Sequence, residues 1–359
     1  MDNQIPNLQK ILADLERSQS RLEQILSEQR DLSPTPLKTP TNDSGKSILF
    51  YRDFRRFSGG HLKVWDYFNH VLRSPNYTPY IYFYSAPTVW DSSNPWSKTD
   101  SSLILSQPLD HPDLIFLDGM DWQQLHPSER ENSAIPILNL IQHIRHADPN
   151  NARYSFLKYK AIRICVSEEV KTHLIESGCV NGPLFVIPNH LETASFPKAI
   201  IPENKKIDLL IAALKEPSMG LELKQQLENR GKQVQLLTHP LPRREYLNQI
   251  NQAKITIFLP NSREGEGFYL PALEGMALRT LVICPDCIGN RSFCLPGYNC
   301  FRPEYKIEKI LSAIDRALQL SQSQVKQILS NAQQTVSEHS LFREQKAFLD
   351  ILENIGQLW

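Results

Sequence analysis

Two glutamates, Glu266 and Glu274, offer the clearest chemistry in this sequence, with seven residues between them. They frame a glycine-containing turn between an apolar, β-branched run, ITIFLP, and a segment of helical composition. At a strand-to-helix turn the first backbone N–H groups have no partner within the helix, and the helix dipole favours an anion there. The turn therefore predicts a phosphate cradle made by the unpaired N–H groups of Gly267, Phe268, Tyr269 and Leu270.

The two carboxylates add hydroxyl recognition to this cradle. Glu266 lies on the turn and reaches a group above it, whereas Glu274 projects into the same crevice and accepts two adjacent hydroxyls, as a ribose diol offers. A phosphate held between two hydroxyl-binding acids predicts a nucleotide sugar. A surface turn with ordinary helix acids is the alternative, because a two-residue motif is only a hypothesis.

The residues around the two glutamates extend the pattern. The run from Glu266 to Cys284, EGFYLPALEGMALRTLVIC, resembles the nucleotide-sugar signature of the retaining glycosyltransferases called family 4, including Pro271, Met276 and the strand that follows. This resemblance implies the α/β fold called GT-B, in which two Rossmann-like, doubly wound domains face each other across a cleft. It also implies transfer of a hexose, from UDP-glucose, with retention at C1, to a hydroxyl of a glycan or lipid-linked oligosaccharide in polysaccharide synthesis.

The resemblance also assigns roles to individual residues. It implies that Glu266 holds hydroxyls of the sugar and that Glu274 holds the ribose. His143 follows an apolar strand and matches a histidine beside the donor sugar, although a structural histidine is an alternative. The remaining donor-binding positions are a double glycine facing the phosphates and a loop residue edging the base: Gly59, Gly60 and Leu241.

One expected feature of the family is missing. Its members place an arginine and a lysine on the first loop of the second domain to grip the diphosphate, but Leu214 and Met219 stand at those places here. The adjacent Lys215 is the predicted substitute, since a diphosphate leaving group needs a cation. A solvated lysine is the alternative. The nearby Arg243 is predicted to be solvent-exposed.

The sequence predicts no metal and no other cofactor. Asp118 and Asp121 follow a strand and are interpreted as acids that cap a turn, because no further ligand cluster accompanies them. Four cysteines near the central motif have only one close pair, which argues against a zinc site: Cys284, Cys287, Cys294 and Cys300.

Composition limits the classes of partner. The 359 residues suit two domains, and the formal net charge of zero, with scattered basic residues, argues against a nucleic-acid partner. The N-terminus lacks the features of a signal peptide and no apolar run is long enough to cross a bilayer, so we expect a cytoplasmic protein, working at the inner face of the membrane if its acceptor is lipid-linked.

The predicted organisation has five segments. Residues 1–30 form an amphipathic helix, interpreted as a docking or self-association segment or, alternatively, a contact with the membrane surface. Residues 31–46 form a proline-rich linker. The acceptor domain spans residues 47–192, the donor domain spans residues 193–335, and a C-terminal helix at 336–359 returns to the first domain.

Two other functions remain open at this stage. The chain would bind a nucleotide sugar without turnover if it were a non-catalytic subunit of a polysaccharide assembly. The departures from the family at Leu214, at Met219 and at His190, where glycine is usual, favour this alternative. A nucleotide-sugar epimerase of the same fold is the other alternative.

Overall fold

A seven-stranded parallel sheet begins the described part of the chain. The computed structural model describes residues 45–53, 59–85 and 94–359, so the predicted N-terminal helix and nearly all of the linker lie outside the described residues. The sheet has the order β3-β2-β1-β4-β5-β6-β7. Its strands are β1 Lys46–Arg52, β2 Tyr77–Phe83, β3 Ile104–Leu105, β4 Leu114–Asp118, β5 Ile137–Ile141, β6 Ile162–Cys165 and β7 Leu184–Val186.

The central strands of this sheet are short apolar runs. Every residue of β4, β5 and β6 is buried, which is the pattern of parallel strands covered on both faces. Phe50 of β1 stacks on Phe116 of β4, with ring centroids 4.5 Å apart. The adjacent strands β1 and β4 therefore contribute aromatic rings to the same core.

A second parallel sheet has four strands in the order β11-β10-β8-β9. Ile255 of β10 pairs with Leu209 of β8 on one side and with Leu281 of β11 on the other. The strands are β8 Ile207–Ala212, β9 Val234–Leu237, β10 Ala253–Phe258 and β11 Leu281–Ile283. The predicted domain boundary at residue 192 falls in the connection between the two sheets and stays a prediction.

Helices connect the strands in both sheets. Six follow strands of the sheets in the manner of doubly wound folds, and the last four follow one another after β11. They are α1 Gly59–Leu72, α2 Pro127–Asn132, α3 Glu168–Glu176, α4 Pro217–Glu228, α5 Arg243–Gln252, α6 Leu270–Ala277, α7 Ile307–Leu318, α8 Gln322–Glu338, α9 Leu341–Glu353 and α10 Ile355–Leu358. None of these helices combines the length and the apolar composition needed to cross a bilayer.

The C-terminal helices divide between the two sheets. Leu329 of α8 belongs to the core of the second sheet, whereas Phe348 and Leu352 of α9 belong to the core of the first. The Phe348 ring meets the Tyr67 ring of α1 edge to face, with centroids 4.8 Å apart. We call the seven-stranded sheet and its packed helices, α9 included, the first half, and the four-stranded sheet and its helices the second half.

The chain passes between the halves twice, once after β7 and once between α8 and α9. The two passages are hydrogen-bonded to each other: Leu191 N–H donates to the carbonyl oxygen of His339, 2.9 Å away. His339 Nδ1 in turn lies 3.1 Å from the carbonyl oxygen of Asn189. Both passages therefore lie side by side.

A buried carboxylate, Glu344 of α9, joins three parts of the chain. Lys63 Nζ of α1 lies 2.7 Å from its Oε2, and His70 Nε2 lies 2.8 Å from its Oε1. The backbone N–H of His190 donates to Oε2 at 2.6 Å, and His190 Nδ1 lies 3.1 Å from Oε1. The structure thus gives a reason for His190 where the family resemblance expects glycine, because its imidazole completes this cluster.

The neighbours of Glu344 stabilise its charged form. Burial raises the pKa of the Glu344 carboxyl, but the charge of Lys63 and the hydrogen bonds from His190 and His70 outweigh it, so the pKa lies well below its ordinary value. Within the described chain, the His70, His190 and Glu344 atoms are close enough together to hold a metal ion, but Lys63 already supplies a cation there.

Removal of this carboxylate should destabilise the fold. Glu344→Ala removes the closest partner of the buried Lys63 ammonium and leaves it only the partly exposed Asp66, 3.1 Å away, so we expect the free energy of unfolding to fall by about 3 kcal/mol in urea denaturation. Because the folded-state pKa of Glu344 is depressed, the loss is present at neutral pH and shrinks as the pH falls below about 4.3.

Two variants test this explanation. Glu353→Ala, at an exposed position of the same helix, should leave the stability unchanged within about 0.5 kcal/mol. The double variant Lys63→Met/Glu344→Leu should lose less stability than Glu344→Ala, because it removes both fully buried charges and leaves only the partly exposed Asp66. A single variant as stable as the wild type would contradict the account.

Candidate functional site

A cavity of about 950 Å³ lies where the carboxyl ends of the strands in the two halves meet. In the first half it lies above β1 and β4, between which the strand order reverses, as expected for ligand sites in open α/β sheets. Arg52 and Asp118 end these strands, and Arg52 Nη1 lies 2.9 Å from Asp118 Oδ2. The second half contributes the loop after β10 and the start of α6.

The loop after β10 lies directly against the first half. A Cβ atom added to Gly267 would sit 1.9 Å from the carbonyl oxygen of Gln142 and 2.9 Å from the Cα of His143. Ser167 Oγ donates to the carbonyl oxygen of Gly267 at 2.9 Å. Only glycine fits this contact without moving the backbone.

Two of the four backbone N–H groups that were predicted to form the phosphate cradle are hydrogen-bonded in the structure. Tyr269 N–H donates to the carbonyl oxygen of Gly289 at 2.9 Å, and Leu270 N–H donates to that of Phe268 at 3.2 Å. The expectation of four unpaired amides is therefore wrong for these two, because the turn folds back on itself and on the loop after β11. Among the described residues, no acceptor takes the N–H groups of Gly267 and Phe268.

Glu274 lies on the first turns of α6 and is 4% exposed. Its Oε1 forms an ion pair with Arg243 Nη2, 2.7 Å away. Its Oε2 is buried and has no hydrogen-bond partner among the described residues. A buried carboxylate oxygen without a partner is costly, and such sites commonly receive a ligand group.

Arg243 is the site residue that the sequence analysis missed. Its side chain is exposed, as predicted, but the guanidinium also pairs with Glu274 and lies over the Phe196 ring, 5.6 Å from its centroid. Arg243 begins α5, which follows β9 at the same edge as the cavity. Its place after a strand was the signal available in the sequence.

Glu266 and Lys215 are brought together by the second half. Lys215 Nζ donates to Glu266 Oε1 at 2.6 Å and lies over the Tyr269 ring, 5.7 Å from its centroid. The same Glu266 oxygen accepts the N–H of Asn261. Lys215 is half-exposed and lines the cavity, so its charge is available to a ligand there.

His143 lines the cavity from the first half, directly after β5. Its Nδ1 accepts the N–H of Arg145 at 3.1 Å. Burial and the positive charge of Arg145 lower the pKa of His143 to about 4, against a hydrogen bond to the Gly265 backbone that raises it. The imidazole is therefore neutral at pH 7 and links the first half to the loop that carries Glu266.

The structure places three other predicted donor-binding residues differently from the expectation. Gly59 and Gly60 line the cavity, but they are the first residues of α1 rather than a turn before it. The Gly60 carbonyl oxygen accepts Gln142 Nε2 at 3.1 Å. Leu241 does not line the cavity and packs instead against the core of the second half.

The four cysteines near the motif belong to the core of the second half. All are buried and unpaired: Cys284, Cys287, Cys294 and Cys300. Cys284 follows β11 and receives a hydrogen bond from Asn290 Nδ2 at 3.2 Å. The prediction that the protein uses no metal stays a prediction.

The arrangement of these groups suits an anion attached to a polyol. Two open amides and the N-terminus of α6 supply fixed positive dipoles. Lys215 and Arg243 supply mobile positive charge, and Glu266 and Glu274 supply acceptors for hydroxyl groups. All of them line one cavity between the halves.

Several solved structures resemble this chain over most of its length. Sucrose-phosphate synthase from Thermosynechococcus elongatus is 11% identical, with a TM-score of 0.63 over 87% of this chain and 99% of that one. A glycosyltransferase from Rickettsia africae is 18% identical, with a TM-score of 0.61 over 87% and 99%. Anabaena HepE, in complex with UDP and glucose, is 13% identical, with a TM-score of 0.64 over 86% and 100%.

These similarities show the fold. The chain has the GT-B architecture with two parallel α/β sheets, so the predicted fold class is confirmed for the part of the chain that the structure describes. No protein-family model and no curated protein matches the sequence.

The contact at Gly267 can be tested by adding one methyl group. Gly267→Ala places carbon against the Gln142 carbonyl, so we expect the free energy of unfolding to fall by about 1–3 kcal/mol, the usual cost of overpacking. Gly356→Ala, where a Cβ meets nothing within 4 Å, should leave the protein as stable or slightly more stable. Equal stability of the two variants in urea denaturation would show that the halves do not touch at Gly267.

Proposed function

We propose that this protein is a glycosyltransferase that moves a hexose, glucose from UDP-glucose, to a hydroxyl of a glycan or lipid-linked oligosaccharide. The single observation that carries the proposal is Glu274, a buried carboxylate with an unpartnered oxygen beside the open amides of Gly267 and Phe268. Ribose hydroxyls supply the donors that the carboxylate lacks, while the diphosphate accepts from the amides. The Anabaena protein of the same fold is described with UDP-glucose, which supports this choice of donor.

Each charged group then has a task in the transfer. The amides, Lys215 and Arg243 stabilise charge that develops on the diphosphate as its bond to C1 lengthens. Glu266 accepts hydroxyls of the sugar, and His143, neutral at pH 7, lies beside it. These cations perform the neutralisation that a metal would otherwise supply, so we propose metal-independent transfer.

The proposed stereochemistry is retention. The acceptor oxygen bonds to C1 on the face that the diphosphate leaves, the C1–phosphate bond breaks, and the acceptor proton passes to the leaving phosphate oxygen. No base from the protein is needed for this proton. That suits a site in which Nδ1 of His143 already accepts the Arg145 amide.

We also propose that the protein works in polysaccharide synthesis at the cytoplasmic face of a membrane. A binding subunit without turnover is the second candidate, favoured by Leu214 and Met219 at the two places where the family resemblance expects phosphate-gripping cations. Turnover separates the two candidates, because a binding subunit would bind UDP and leave UDP-glucose intact.

The donor assignment is tested by Glu274→Gln. We expect UDP affinity, measured by calorimetry, to fall at least about tenfold, because a charged acceptor for hydroxyl groups is lost. The release of UDP from UDP-glucose should fall with it and should be insensitive to a metal chelator in the wild type. Glu245→Gln, at an exposed position near the start of α5, is the matched control and should change neither.

Stability distinguishes a binding role from a structural one. If Glu274 serves the ligand, Glu274→Gln should fold with undiminished stability, since the free protein gains little from a carboxylate with one unpartnered oxygen. Weaker folding together with unchanged UDP affinity would overturn the assignment.

Arg243 is the proposed replacement for the missing family cations. When a ribose diol engages Glu274, the guanidinium is released to reach the diphosphate. We therefore expect Arg243→Ala to weaken UDP binding at least about tenfold while uridine binding changes little. Arg244→Ala, one residue further along the chain and exposed, should change neither affinity.

Tighter ligand binding by Arg243→Ala would assign this arginine a different role. If Arg243 only blocks the empty site, its removal would tighten the binding of uridine and UDP alike. Calorimetric titration of both ligands against both variants decides between the two roles.

A further inference from the structure

Two arginines of the described chain line the first half of the cavity without a buried carboxylate in ion-pair contact: Arg145 and Arg153. Among the described residues, the side-chain partner of the Arg153 guanidinium is Asn151 Oδ1, 3.4 Å from Nη1, and no carboxylate lies within ion-pair distance. Arg145 Nη1 lies 3.7 Å from Glu264 Oε2, a pair between exposed side chains that contributes little.

The acids on this side of the cavity are already engaged. Arg52 Nη1 lies 2.9 Å from Asp118 Oδ2 and 3.2 Å from Asp121 Oδ2. Gln142 Nε2 also donates to Asp118 at 3.1 Å, and Tyr84 Oη donates to Asp121 at 2.8 Å. The two aspartates are therefore occupied by these partners, and neither lies within ion-pair distance of Arg145 or Arg153.

A buried imidazole, His146, lies in the field of these two arginines. Burial, and then the charges of Arg153 and Arg145, lower its pKa to about 3. Burial and the charge of Arg145 also lower the pKa of Arg153, while the charges of Asp118 and Asp121 partly offset this. An anion bound to both arginines would offset their mutual repulsion.

We propose that this part of the cavity binds an anionic group of the acceptor, a phosphate or carboxylate carried by a sugar, through Arg153 and Arg145. This inference rests on the proposed glycosyl transfer. An arginine binds either anion with two parallel hydrogen bonds. The acceptor class is thus an anionic sugar, whose hydroxyl faces the donor while its charge lies in the first half.

The position of Arg153 distinguishes the acceptor from the donor. Its charged neighbours are Arg145, Asp118, Arg52 and Asp121, all from the first half. The open amides, Lys215 and Arg243 serve the diphosphate from the second half. A group bound at Arg153 is therefore held by the first half, whereas the nucleotide is held by groups of the second half.

The experiment measures sugar binding to the full chain in the presence of saturating UDP. We expect glucose 6-phosphate or glucuronate to bind at least about tenfold more tightly than glucose, the gain typical of a hydrogen-bonded ion pair. Preference for the phosphate ester or for the carboxylate identifies the anion. Arg153→Ala should abolish the preference, Arg153→Lys should retain part of it, and UDP affinity should be the same in all.

Lys158→Ala is the matched control. Lys158 is a cation five residues further along the chain, exposed and outside the cavity, so its removal should leave the preference intact. If neither anionic sugar binds better than glucose, or if Arg153→Ala keeps the preference, the inference is overturned.

A second measurement separates this inference from the proposed function. Inorganic phosphate titrated without UDP should raise the pKa of His146, followed by NMR of the imidazole, in the wild type but not in Arg153→Ala. If phosphate acts in this way and UDP does not bind, the anion site stands and the nucleotide-sugar function falls. If UDP binds and phosphate leaves His146 unchanged, the anion site falls alone.

Discussion

The contact of Gly267 with the backbone of Gln142 determines the geometry of the cavity. At this point the loop after β10 meets the connection after β5 with no side chain between them, and Ser167 holds the glycine carbonyl from the first half. The residues on either side take their positions from this contact. Glu266 pairs with the backbone after β11, and the Phe268 ring stacks on that of Phe293 at 4.9 Å. A backbone contact defines shape more sharply than long side chains do, because it has fewer degrees of freedom.

Local patterns in the sequence predicted what depends on local structure. The apolar run before the motif forms β10, the residues after Tyr269 form α6, and the motif led to the correct fold class. Partners that are distant in the chain could not be found in this way. The ion pair between Arg243 and Glu274 depends on how α5 approaches α6, and the role of Glu344 depends on where α9 docks. Neither distance follows from spacing along a chain, because both arise only when the helices pack.

In the free protein the charges of the site satisfy one another. Lys215 pairs with Glu266 and Arg243 pairs with Glu274, so the proposed acceptors of hydroxyl groups and the proposed phosphate-binding cations form two ion pairs. A ligand with both hydroxyls and a diphosphate would replace each ion pair. Its hydroxyls would donate to the glutamates, and its phosphates would accept from the two cations. Binding is thus an exchange of partners, and the affinity is the difference between two sets of interactions rather than the sum of new ones. Ligands with only one of the two features would leave a charge unpaired, which favours the complete nucleotide sugar.

The hydrogen bond between Leu191 and His339 has a mechanical consequence. It fastens together the only two covalent passages between the halves within residues 94–359, and Asn189 adds a second bond beside it. Two adjacent passages act as a hinge with one axis, since rotation about the line through them strains neither, while sliding or twisting would pull them apart. We expect the remaining low-energy motion to be a rotation of one half against the other about this axis. Such a rotation would separate Gly267 from Gln142 and open the cavity between the halves.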